Sequence, residues 1–80
     1  MDSFEYRNGR LHCEEVPVAR IAEELGTPVY IYSRDALERA YQSYAEALVG
    51  RDALVCYAVK ANSNIGVLNV LARMGAGFDI

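Results

Sequence analysis

Tryptophan is absent from these 80 residues, histidine occurs once and cysteine twice. Cys13 and Cys56 are too few for a disulfide framework and lack C-x-x-C spacing, so both are expected to be reduced thiols. His12 has no second ligand at metal spacing, and no metal site is expected. Basic side chains are also in short supply, 8 against 11 acidic ones for a formal charge of -3. That excludes a nucleic-acid binder held by a broad basic face. No uninterrupted apolar run approaches the roughly 18 residues of a membrane helix, and Met1-Asp2-Ser3-Phe4-Glu5 lacks the basic-then-apolar layout of a secretory signal. The expectation is a cytoplasmic protein with neither nucleic acid nor membrane as partner.

What is present is ordinary for a globular chain, 52% hydrophobic and 24% charged, without repeats or low-complexity stretches. A chain of this size buries only about two thirds of its surface. Its last residues, Gly77-Phe78-Asp79-Ile80, read as a strand being entered. A piece of a longer protein is therefore expected.

Phe4 to Arg7 and Arg10 to Cys13 flank Asn8-Gly9, the pair best suited to positive φ at both centres of a two-residue turn. The reading is a hairpin with Tyr6 facing Leu11 and Phe4 facing Cys13 on an apolar side, and Glu5 with His12 on the other. Pro17 suits a first helical turn, followed by Val18, Ile21, Ala22 and Leu25 at helical spacing, with Gly26 as a left-handed terminator. Val29-Tyr30-Ile31-Tyr32 reads as a strand ending at Ser33, an N-cap for a helix from Arg34 to about Leu48. That helix carries Leu37, Ala40, Tyr41, Tyr44 and Leu48 on one face, a core stripe rather than a binding surface. Glu14-Glu15 and Glu23-Glu24 read as solvated.

Ala53 to Val59 is apolar throughout, as in a strand covered on both faces of a parallel sheet. Asn62, Ser63 and Asn64 offer turn and cap groups, and Ile65, Leu68, Leu71 and Ala72 mark another helix ended by Gly75. Alternating strands and helices predict an α/β fold of right-handed βαβ units around a parallel sheet, open or closed into a barrel.

Lys60 ends the apolar run. From pattern alone the favoured reading is a solvated strand end with a packed stem and an outward ammonium. The functional reading rests on place, because ligands in parallel α/β proteins sit at the carboxyl ends of strands. Partial burial there would favour the neutral amine needed to attack a carbonyl and form an imine. Asp79 and Ala58, taken by themselves, read as a strand-edge carboxylate and a plain core alanine.

Tyr57-Ala58-Val59-Lys60-Ala61-Asn62 resembles the lysine motif of the alanine racemase-like, fold-type III pyridoxal phosphate enzymes, the superfamily that includes ornithine decarboxylase. Further segments carry the likeness: Asn8-Gly9 with Leu11-His12 and Glu14, Val16-Pro17, Ile21-Ala22-Glu23, Gly26 to Ser33, Gly75, and Gly77-Phe78-Asp79. The resemblance implies part of a (β/α)8 barrel binding pyridoxal 5'-phosphate over residues 26–80. Residues 1–25, a hairpin and helix, would belong with a second, β-rich domain. A homodimer with active sites at the subunit interface is also implied. Lys60 matches the lysine that holds the cofactor covalently, Ala58 the small residue beneath it, and Asp79 the acid near the lysine amine. The implied reaction is decarboxylation of meso-2,6-diaminoheptanedioate to L-lysine and carbon dioxide, the last step of lysine synthesis, by a longer chain than this one. Alternatives within the superfamily are decarboxylases of ornithine, arginine or carboxynorspermidine and an alanine racemase. The racemase expectation of Gly-His-Gly after the motif is not met by Ser63-Asn64-Ile65-Gly66. A noncatalytic pyridoxal phosphate-binding module is the alternative of another class.

Overall fold

The structure, a computed structural model, describes residues 2–80. Two compact units divide the chain, one reaching to Ala36 and one running from Leu37 to Ile80.

In the first unit, strands β1 (Phe4–Arg7), β2 (Arg10–Cys13) and β3 (Val16–Pro17) form an antiparallel sheet in that order. Asn8 and Gly9 have φ of 51° and 78°, the double positive φ that a tight turn between right-twisted strands requires. The turn sets the expected register, Phe4 opposite Cys13, Glu5 opposite His12 and Tyr6 opposite Leu11. Of the apolar side only Cys13 is buried, and Tyr6 remains 74% exposed. Burial pushes the Cys13 thiol up from its ordinary pKa. Strand β3 is an addition to the expected elements. Pro17 ends this short edge strand and caps helix α1 (Val18–Leu25) instead of occupying its first turn; a proline is tolerated where no further ladder hydrogen bond is needed. Helix α1 stops where the Gly26 N–H donates to Ala22 O at 2.8 Å. Gly26 has the positive φ expected of a left-handed terminator, 80°, but its ψ of 177° lies outside the left-handed helical well.

The expected strand at Val29–Tyr32 does not form, for these residues lie in no ladder among the described residues. β-Branched and aromatic side chains favour extended backbone, but a strand also needs a neighbour for its N–H and C=O groups. Ser33 does cap helix α2 (Arg34–Ala47), its Oγ accepting from the Ala36 N–H at 3.0 Å. The same buried hydroxyl donates to Glu14 Oε2 at 2.9 Å, and that oxygen also accepts the Asp35 N–H at 3.2 Å. Ser3 Oγ donates to Asp35 Oδ2 at 3.0 Å, and Ser3 O accepts the Glu14 N–H at 2.6 Å. Glu14 is thus half-buried capping apparatus, not the solvated residue expected. Glu15 is exposed and pairs with Arg7 at 3.0 Å, and the guanidinium draws its carboxyl below the usual range.

The second unit holds most of α2, strand β4 (Cys56–Ala58), a 3₁₀ turn (Val59–Ala61), helix α3 (Ile65–Arg73) and strand β5 (Gly77–Asp79). Strands β4 and β5 pair in parallel with α3 between them, which is the predicted βαβ unit. The paired strand is shorter than the seven-residue apolar run, and Cys56 and Ala58 are exposed. Apolar composition reports where burial is available; pairing reports where a neighbouring backbone lies. Helix α3 turns Val67 and Leu71 inward, one helical turn apart, while Ile65 and Ala72 of the expected stripe are exposed. Strand β5 approaches β4 closely at Gly77, where a Cβ would lie 2.9 Å from both Cys56 Sγ and Leu54 Cδ2. No helix among the described residues is long and apolar enough to cross a membrane.

Candidate functional site

Lys60 is the one lysine of the sequence. It follows β4 by two residues and stands in the 3₁₀ turn, not on the strand itself as the apolar run suggested. Ala58 and Lys60 therefore do not share a strand face; Ala58 is the last paired residue and the chain curls immediately after it. This curl sets Lys60 just past the carboxyl end of β4, and Lys60 is exposed.

Hydrogen bonds hold the turn from both directions. The Asn62 N–H donates to Val59 O at 3.2 Å, closing the 3₁₀ turn. The phenol of Tyr57, half-buried on β4, donates to Asn62 O at 2.9 Å. Asn62 Oδ1 in turn accepts the Asn64 N–H at 3.0 Å. Asn64 then caps α3, its Oδ1 accepting the Gly66 N–H at 2.8 Å and its carbonyl accepting the Leu68 N–H at 3.0 Å. The turn bearing Lys60 is thereby tied to the strand before it and the helix after it. Asn62 and Asn64 were legible as turn and cap residues, whereas the part played by the Tyr57 hydroxyl was not. A tyrosine inside an apolar strand reads as packing, and nothing in the spacing shows that its hydroxyl spans five residues to a carbonyl.

Asp79 arrives by the other strand. It is the Cα partner of Ala58 across the parallel ladder, and it is exposed. The structure so brings Ala58 and Asp79 side by side, with Lys60 two residues beyond Ala58. Neither Lys60 nor Asp79 enters an ion pair among the described residues. Beside this edge lies an open apolar recess of about 290 Å³, whose lining includes Ala58 and Ala61 together with Leu37, Tyr41 and Leu71.

The residues present fit an aldehyde cofactor with a cationic ring. A solvent-reachable primary amine can condense with the aldehyde. A carboxylate on the adjoining strand suits nearby positive charge, and a methyl at Ala58 leaves flat groups room to approach.

Comparison with known proteins points the same way. The model of the pyridoxal-dependent decarboxylase family, pyridoxal binding domain, matches residues 34–80. A diaminopimelate decarboxylase of Pseudomonas aeruginosa is 62% identical over 80 residues, all of this chain and 19% of the relative. One from Haemophilus influenzae is 49% identical over the same length, again all of this chain and 19% of the relative. Among solved structures, a diaminopimelate decarboxylase from M. jannaschii in complex with L-lysine superposes with a TM-score of 0.91 at 33% identity, covering 98% of this chain and 19% of that one. The chain spans about a fifth of the length of the curated relatives it matches.

Proposed function

The chain belongs to the pyridoxal-dependent decarboxylase family, and from that premise we propose that it is the lysine-bearing part of a diaminopimelate decarboxylase. The reaction is removal of carbon dioxide from meso-2,6-diaminoheptanedioate to give L-lysine. The single observation that carries the reading is Lys60, presented on a braced turn at the carboxyl edge of a parallel strand pair, in a sequence 62% identical to such an enzyme.

Pyridoxal phosphate, when bound, supplies a sink for the electron pair left behind when carbon dioxide departs. Lys60 Nζ, the one lysine amine of the sequence, would be the group that holds the cofactor covalently. The Asp79 carboxylate, directly opposite Ala58 across the ladder, would hold favourable charge near the reacting end. The Ala58 methyl keeps the floor of the site shallow.

On this reading residues 26–80 open a (β/α)8 barrel, and residues 1–25 belong with a β-rich second domain. The working enzyme is a cytoplasmic homodimer, and the groups that grip the cofactor phosphate and the substrate carboxylates come from chain beyond this segment, so these residues alone do not turn over substrate.

The test is to incubate the full-length protein with pyridoxal phosphate, reduce with borohydride, and map the modified peptide by mass spectrometry. A pyridoxyl group on Lys60 is the expected outcome, with carbon dioxide released from diaminopimelate in preference to ornithine or arginine. Folded protein with Lys60 unmodified would sink the enzyme reading.

A further inference from the structure

We infer that Tyr57 is a positioning residue for Lys60, acting through the Asn62 carbonyl; the inference rests on the reading of Lys60 as the cofactor anchor. Val59–Ala61 is a single turn of 3₁₀ helix, closed internally by one hydrogen bond from the Asn62 N–H to Val59 O. Such turns have poorer hydrogen-bond geometry than an α-helix and little stability of their own. The Asn62 carbonyl takes no part in that internal bond and receives the Tyr57 hydroxyl at 2.9 Å. Asn62 is therefore fixed through three groups at once, its N–H, its carbonyl and its side-chain amide oxygen. Lys60 sits in the middle of the span so enclosed.

The phenol suits this work. It is half-buried, it stands on a paired strand, and its rigid ring reaches across the turn with only two torsions to freeze. Lys60, by contrast, is an exposed side chain with four rotatable bonds, whose reach depends on where its backbone is held. Attachment is condensation of a primary amine with an aldehyde: the C=N bond forms, the C=O bond breaks, and the aldehyde oxygen leaves as water with both amine hydrogens. Its rate depends on how often Nζ is held at bonding distance in the right direction. Loosening the turn spreads Nζ over more positions without removing it.

The experiment measures attachment directly. Full-length protein freed of cofactor is mixed with pyridoxal phosphate, reduced with borohydride at successive times, and pyridoxyl-Lys60 is quantified by mass spectrometry. Tyr57→Phe is expected to slow its appearance about fivefold, the scale set by loss of one hydrogen bond, with the circular dichroism spectrum and cooperative melting kept. Tyr44→Phe, which removes a phenolic oxygen from α2, is expected to attach at the unaltered rate. Asn62→Ala keeps the carbonyl that Tyr57 reaches but frees the same residue from Asn64, and is expected to slow attachment too; should Tyr57→Phe fail to fold, an unchanged rate in Asn62→Ala overturns the positioning role. An attachment rate unchanged in folded Tyr57→Phe, or slowed equally by Tyr44→Phe, overturns the positioning role while leaving Lys60 as anchor. Absence of any Lys60 adduct in the folded unsubstituted protein overturns the anchor itself and the positioning role with it.

Discussion

Lys60 is set apart by chemistry as well as place, since the other seven basic residues are arginines. A guanidinium stays protonated at any working pH and cannot serve as a neutral nucleophile. Lys60→Arg in the full-length protein is therefore expected to keep the charge and the fold while reducing carbon dioxide release to the level of a blank, as measured by trapping labelled product gas. Glycine 77 matters for the opposite reason, the absence of a side chain. A methyl there would meet Cys56 Sγ and Leu54 Cδ2 at 2.9 Å. Gly77→Ala should cost about 1 to 3 kcal/mol by overpacking, read from denaturant midpoints, and Cys56→Ala introduced beside it should recover part of that loss. The motif around Lys60 was legible because its residue types are distinctive, whereas the crowding at Gly77 depends on a strand 21 positions away.

Among the elements, those defined by local chemistry were legible. The Asn8-Gly9 turn admits one register, and the hairpin has it; helices α2 and α3 begin at the cap residues read for them. Elements that depend on a distant neighbour were read less well. Val29–Tyr32 has strand-forming residues but no ladder, and Val16–Pro17 joins a ladder although its proline suggested a helix start. The inward face of α3 is set by Val67 and Leu71 because burial depends on what the helix meets, and several stripes on a largely apolar helix fit the periodicity equally well. Glu14 was misread for a related reason: a carboxylate beside another carboxylate looks solvated until a buried serine 19 residues on donates to it. Ser33→Ala removes the α2 cap and leaves the half-buried Glu14 oxygen one donor short. A loss of about 1 to 2 kcal/mol is expected, and chemical denaturation of the full-length protein would measure it.

At the scale of the whole molecule the surface area is the telling quantity. The chain exposes 6303 Å², whereas a folded monomer of its 8.9 kDa would expose about 4,800 Å². Among the described residues only Cys13, Val67 and Leu71 make up the buried hydrophobic set, and Leu54, Ile65, Tyr30 and Ile80 are each more than 60% exposed. Burial this sparse cannot offset the backbone entropy of ordering 80 residues. The isolated 80-residue polypeptide is expected to show no cooperative heat-absorption peak in scanning calorimetry, and a sharp peak would refute that. The α/β alternation was legible at this scale. How far the βαβ unit continues toward a closed barrel belongs to the proposed full-length enzyme.

The two sheets also differ in the order in which they can assemble. Partners in the hairpin lie three to nine positions apart, whereas Cys56 and Gly77 must meet across 21. Closing the longer loop costs more chain entropy before any contact repays it. The hairpin is expected to form and dissolve within roughly 1 to 10 microseconds, while β4 must wait for α3 to bring β5 alongside. Early pairing at residues 4–13 and late pairing of Cys56–Ala58 with Gly77–Asp79 mean that the carboxylate of Asp79 comes opposite Ala58 only after the register of the hairpin has been chosen.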